Sequence, residues 1–192
     1  MCLRTSNKKD NVMNSALALF AERGFDATTV PMIATAANVG AGTIYRYFEN
    51  KEVLVNTLFQ NCISTFTKTI EDEFPFNQSI RKQFHHIFKS MILFTNKNEH
   101  AMYFIKKHSA GHFLNDQSQA DFTQLLNLFK TFFDTGKQQF VIRNLPSEAL
   151  IAIVYGAFLE IQDLVRAGGL NPDQEILLGI EESLWDSVRR HS

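Results

Sequence analysis

Between Thr29 and Glu52 the chain reads TVPMIATAANVGAGTIYRYFENKE, and this stretch restricts the fold more than any other. Thr29 is a good N-cap. Pro31 falls in the first turn of the helix that Thr29 would open, where a missing N–H costs nothing. The pattern predicts a helix over 30–37, a turn at Asn38-Val39-Gly40, a short helix over 41–48, and a long one over 51–73 capped by Asn50. Ile33, Ala34, Ala37, Val39 and Ile44 supply small and aliphatic groups for packing one short helix on the other. Gly40 and Gly42 are expected to allow close approach at the turn and at the start of the second helix. Thr43, Tyr45, Arg46 and Tyr47 then face outward, and Phe48 turns inward. Two short helices of this kind, the second offering polar and aromatic side chains, are how a helix-turn-helix addresses the major groove of DNA.

The flanking sequence is helical throughout. Val12, Ala16, Leu19 and Phe20 recur at helical spacing over 9–23, and Gly24 stops that helix. Phe74-Pro75-Phe76-Asn77 breaks the long helix. Further helices are expected over 79–95, 99–112, 120–136 and 146–167, with a loop at 115–119 and Gly168-Gly169 as a stop. Asn171-Pro172-Asp173-Gln174 reads as the opening of the last helix, with Asn171 as cap, Pro172 first and Gln174 closing a capping box. The expected fold is all-α: a three-helix reader over 1–50 and a helical ligand-binding and dimerisation domain over 51–192, about nine helices in all.

Composition excludes several classes. A hydrophobic content of 45% over 192 residues can fill a core, so global disorder is excluded. No apolar run approaches the roughly 20 residues that span a bilayer. The N-terminal stretch has no apolar h-region, so no secretory signal is expected, and Cys2 and Cys62 are not expected to form a disulfide framework. These features point to a cytoplasmic protein with no membrane partner. The net charge of −1 gives little support to DNA binding by itself: residues 1–60 carry six Lys/Arg against five Asp/Glu. The basic groups at the front are Arg4, Lys8, Lys9, Arg23, Arg46 and Lys51. No nucleophile–base motif, phosphate loop or metalloprotease pattern occurs, so no enzyme and no cofactor are expected. His108 and His112 share helical spacing, but nothing joins them in register, and no metal is expected.

The string FAERGFDATTV…IATAANVGAGTIYRYFENKEVL resembles the N-terminal domain of TetR-family transcription regulators. The likeness runs over about Val12–Leu54. It implies phosphate contacts from Thr29, Thr43 and Lys51, and groove-facing roles for Tyr45, Arg46 and Tyr47, with Gly42 beside them. It also implies a double-stranded DNA operator as partner, a small effector within the body, and a homodimer. Gly40 and Ala41 stand where many relatives carry polar residues, which concentrates base readout on Tyr45, Arg46 and Gly42.

Fourteen of the 18 Phe follow residue 60. A helical body buries most such groups as core, but aromatic density also suits a ligand cavity. The candidates for its wall are Phe66, Phe88, Phe104, Phe129, Phe133 and Tyr155, with His85 and His108 as polar anchors. The helices over about 146–167 and 172–190 are apolar on more than one face, as a dimer interface requires. The function expected is a homodimeric repressor released from a palindromic operator by a small, largely apolar effector. The alternatives are a non-inducible DNA-binding activator or architectural protein, and a helical protein-interaction module without DNA binding.

Overall fold

The computed structural model describes residues 8–98 and 100–191, so Cys2 and Arg4 lie outside the described residues. The helices are α1 (Lys8–Arg23), α2 (Val30–Ala36), α3 (Ala41–Tyr45), α4 (Lys51–Glu71), α5 (Ile80–Lys97), α6 (Ala101–His108) and α7 (Asp116–Gln138). After them come α8 (Ser147–Ile151), a π-helical stretch (Ala152–Gly156), α9 (Ala157–Arg166) and α10 (Gln174–Val188). Counting Ser147–Arg166 as one continuous helix gives nine among the described residues. Extended pairing among them is confined to an isolated bridge between Ile142 and Arg189.

Two compact units divide the chain. The first comprises 1–65 and 98–121, and the second 66–97 and 122–192. In the first unit α1 buries Val12, Ala16, Phe20 and Ala21, one face at helical spacing. Phe20 meets Phe104 of α6 at 6.3 Å and Phe25 at 6.1 Å between ring centroids. Asn56 of α4 is buried, and its amide is fully used. Its Nδ2 donates to Glu52 O and Phe113 O, and its Oδ1 accepts from Asn115 N–H and the Ser118 hydroxyl, all at 2.7–2.9 Å. A buried amide with every bond made fixes one arrangement of its neighbours.

In the second unit the aromatic rings stack on one another. Phe66 lies 4.6 Å from Phe94 and 6.3 Å from Tyr155, and Phe129 lies 5.6 Å from Tyr155. Glu181 is 2% exposed and pairs with Arg81 and, at 2.8 Å, with His85. A carboxylate taken out of water needs such partners, and they pin α10 to α5.

Helix ends explain where the sequence expectations hold and where they give way. The Thr29 and Asn50 side chains cap α2 and α4 as expected. Gly168 at φ 74° ends α9, with Gly169 N–H donating to Leu164 O. The turn after α2 is closed by Asn38 at φ 51°, with Val39 N–H on Ala34 O and Asn38 N–H on Thr35 O. Asparagine tolerates the left-handed region that this helix-ending motif needs. Gly40 has φ −73°, and a Cβ at Gly40 or Gly42 would meet nothing within 4 Å. Neither glycine therefore serves internal close packing, which corrects the expectation for both.

Four further boundaries differ. Helix α3 ends at Tyr45 rather than Phe48. Helix α6 spans Ala101–His108 rather than 99–112, because the chain turns at Gly111, whose absent Cβ leaves room for the Phe113 ring. Helix α7 starts at Asp116 rather than Ala120, since Asn115 Oδ1 accepts from Ser118 N–H at 2.9 Å and acts as cap. The cap of α10 is Asp173, not Asn171: its carboxylate accepts from Ile176 N–H at 2.9 Å.

At the end of α7, Val141 N–H and Ile142 N–H both reach Gly136 O. This folds Ile142 directly over Gly136, so a Cβ there would overlap the Ile142 side chain. Gly136→Ala is expected to lower unfolding stability by about 1–3 kcal/mol, measured by denaturant unfolding against the unaltered chain.

Candidate nucleic-acid interface

The reading head is built outward from buried anchors. Ile33, Ala34, Ala37, Ile44 and Phe48 are buried, and Val39 is half-buried. With Ile44 and Phe48 held inside, the side chains between them project to solvent. Tyr45 is 55% exposed and Tyr47 42%, and Arg46 and Gly42 are exposed. Thr43 is half-buried. Tyrosine carries a large apolar body, so two exposed neighbours flanking an arginine have no packing role to explain them. The Tyr47 ring keeps only a tilted approach, 6.4 Å, to Phe48. Lys9 of α1 places its ammonium 5.8 Å from the Phe48 ring, which adds a cation on the same head.

Thr29 and Lys51, the other two implied phosphate contacts, are both engaged. The Thr29 hydroxyl accepts from Met32 N–H at 3.4 Å and remains exposed. Lys51 is half-buried. Its ammonium donates to Phe25 O at 2.8 Å and Thr28 O at 3.1 Å, and lies 3.9 Å from the Phe25 ring centroid. Two of its three protons are therefore spent on backbone carbonyls of the α1–α2 turn.

Sequence reasoning passed over the residues that hold this turn. Thr28 is fully buried and donates its hydroxyl to Gly24 O at 2.7 Å, with Leu19 O at 3.3 Å. Lys107 of α6 donates to Glu22 O at 2.8 Å and to Ala21 O at 3.3 Å. The available signal was the end of α1 itself, a helix whose last carbonyls need donors; nothing local names a donor some 85 residues away.

The candidate ligand wall is divided between the two units. Phe104 and His108 belong to the first unit, while Phe66, His85, Phe88, Phe129, Phe133 and Tyr155 belong to the second. His85 is half-exposed and bound to Glu181. The aromatic members are buried in ring-on-ring contact, as Phe88 is against Phe158 at 6.0 Å, edge to face. Burial pushes the Tyr155 hydroxyl above its ordinary range and the Cys62 thiol up to about 12, so neither ionises near neutrality. An open cavity of about 490 Å³ lies elsewhere, in the first unit, between the α1–α2 turn and the segment after α6. Its walls include Arg23, Phe25, Asp26, Lys107, His112 and Phe113. Among the described residues no three His, Cys, Asp or Glu side chains stand together as a metal site. No helix of the described residues is long and apolar enough to cross a membrane.

His108 is 2% exposed and its Nδ1 bonds Phe104 O at 2.9 Å, which leaves Nε2 without a partner. Burial holds its pKa below the ordinary 6.5, the bond to Phe104 opposes this, and the Lys107 charge adds to the lowering. Below pH 6.5 the unfolded chain takes up a proton that the folded chain refuses, so this contribution is present above that pH and lost as pH falls through the folded-state value. Unfolding stability is expected to decline more gently on acidification in His108→Phe than in the unaltered chain, read by denaturant titrations across that range. Gly42→Val is expected to change stability by less than about 0.5 kcal/mol, because nothing crowds the new side chain; thermal unfolding checks this.

Comparison with known proteins agrees with the geometry. A family model described as "Bacterial regulatory proteins, tetR family" matches residues 12–58, and one described as "Tetracyclin repressor-like, C-terminal domain" matches residues 59–190. The chain is 27% identical over 109 residues to the biofilm operon icaADBC HTH-type negative transcriptional regulator IcaR of Staphylococcus epidermidis, covering 57% of this chain and 58% of that protein. It is 36% identical over 62 residues to the fatty acid metabolism regulator protein of Bacillus subtilis, covering 32% of each. The chain spans about half the length of the curated relatives it matches. A TetR family transcription regulator from Marinobacter aquaeolei VT8 superposes with a TM-score of 0.78 at 22% identity, covering 96% of both chains, and so shares the fold. With both halves matched by family models and the reading head exposed on α3, the chain belongs to the TetR family of bacterial transcription regulators.

Proposed function

We propose that this protein is a homodimeric repressor that reads a palindromic DNA operator in the cytoplasm. A reader over 1–50 is governed by a body over 51–192. The observation that carries this reading is the exposure of Tyr45 at the end of α3 and of Arg46 and Tyr47 just after it while Ile44 and Phe48 are buried. Tyr45, Arg46 and Tyr47 enter the major groove and carry base preference. Thr29, Thr43 and Lys51 face the phosphates, Lys51 with its one remaining proton. Gly42 lets the duplex backbone come close. Phosphate contacts set register, and groove contacts set sequence.

Dimerisation runs through the helices over 146–167 and 172–190. Ile153, Leu164, Ile176 and Leu178 expose large apolar side chains there, a grouping that a second copy would cover. Two copies related by a two-fold axis demand a palindrome.

The effector is a small, largely apolar molecule entering the aromatic interior of the second unit. It releases DNA only if it binds the released arrangement more tightly. The ring-on-ring packing of Phe66, Phe94, Phe129 and Tyr155 favours a second reading, a DNA-binding regulator with a solid core and no effector. The name of the Bacillus subtilis relative makes fatty acids the first probes.

Operator titrations separate these readings. Tyr45→Ala and Tyr47→Ala are each expected to cost about 1–3 kcal/mol in affinity for the selected duplex. Gly42→Val should weaken it as well while the fold stays intact. Unchanged affinity in all three would remove α3 as the reader. Loss of binding on adding a fatty acid supports the inducible form, and indifference to the whole panel supports the solid-core form.

A further inference from the structure

The end of α1 is held by donors from three places in the chain. Phe20 O takes the Gly24 amide at 2.9 Å. Leu19 O and Gly24 O share the Thr28 hydroxyl. Phe25 O and Thr28 O take Lys51. Two further carbonyls of the last turn, Ala21 O and Glu22 O, take the ammonium of Lys107 at 3.3 and 2.8 Å. Thr28 and Lys51 lie within or next to the reading head itself. Lys107 does not: it comes from the last turn of α6, inside the segment matched by the C-terminal family model. A cation is also the favoured charge at the carbonyl end of a helix. The chain reverses at Gly24, with φ 84°. The Lys107 stem lies against it, its Cε 3.5 Å from where a Cβ would stand.

We infer that Lys107 is a positioning residue for DNA reading, a cap lent by α6 to α1 that fixes the turn from which α2 and α3 hang. The inference rests on the DNA-reading function proposed above. Lys107 acts through the turn, because its ammonium bonds Ala21 O and Glu22 O and lies over the Tyr103 ring. Any shift of α6 along or away from α1 withdraws this donor, so the reading head feels the regulatory half of the chain at this point. The covalent link through Lys51 and α4 is a separate path.

The test compares Lys107→Met, which keeps most of the stem and removes the charge, with Lys107→Arg, which keeps the donors. Two readouts are needed: affinity for a duplex selected from a random pool by the unaltered protein, across a salt series, and amide hydrogen exchange over residues 19–29. Lys107→Met is expected to bind about ten-fold more weakly, or about 1.4 kcal/mol, at every salt concentration with an unchanged salt slope. Exchange at Gly24–Thr29 should quicken, and Lys107→Arg should restore both. A slope reduced by about one unit with unchanged exchange would make Lys107 a direct phosphate contact and overturn the inference. Unchanged affinity and exchange would overturn it too. Should the unaltered protein select no duplex, the DNA-reading function fails on its own. The exchange comparison then decides whether Lys107 holds the turn; if it does not, the cap falls as well. If Lys107→Met does not fold, Lys107→Gln, which retains a shorter donor, is expected to give intermediate exchange, and exchange equal to that of the unaltered chain would overturn the cap.

Discussion

A helix that stops leaves carbonyl oxygens with no partner inside the helix, and donors from elsewhere in the chain can hold them. At the end of α1 the Thr28 hydroxyl reaches Leu19 O and Lys107 reaches Ala21 O and Glu22 O, while Lys51 holds Phe25 O and Thr28 O in the turn that follows, and the geometry of the reading head follows from these bonds. The held turn sets where α2 begins, Asn38 sets where it ends, and the buried pair Ile44 and Phe48 sets which side of α3 faces out. Tyr45 and Tyr47 are exposed because the residues around them are already committed, not because tyrosine prefers water. A reading surface needs this kind of backing, since side chains that must match base edges lose affinity if they are free to wander.

Most of the helical architecture was legible because it is written in local signals. Thr29, Asn50, Gly24 and Gly168 act through bonds to residues a few positions away, so their identity is enough to place a helix end. The failures share one cause: more than one residue could perform the same local task. Asn171 and Asp173 are both competent caps, and Asp173 is the one that takes the Ile176 amide. Gly40 is the obvious turn residue, yet Asn38 takes the left-handed position. Asn115 caps α7 within a stretch that reads as loop, and it does so beside the Asn56 network, which unites residues nearly sixty positions apart. The π-helical stretch at Ala152–Gly156 has no signature in the alternation of apolar residues.

The candidate sites divide along the same line. The outward set at and just after the end of α3 depends on a pattern spanning a few residues, which a sequence displays. A ligand wall depends on which helices share a unit, which it does not display: Phe104 and His108 of α6 belong with α1 to the first unit, and the other candidates belong to the second. Lys51 shows a third case. Its position matches the family's phosphate contact, but its ammonium is drawn to Phe25 O, Thr28 O and the Phe25 ring, partners that exist only once the turn has folded.

The account stands or falls on whether α3 enters the major groove of a symmetric site. Methylation of guanine N7 places a methyl group in that groove and nowhere else on the duplex. Interference mapped on a selected duplex is predicted to fall in two clusters related by a two-fold axis. Interference confined to one half-site, or a duplex bound equally well when fully methylated, would contradict it.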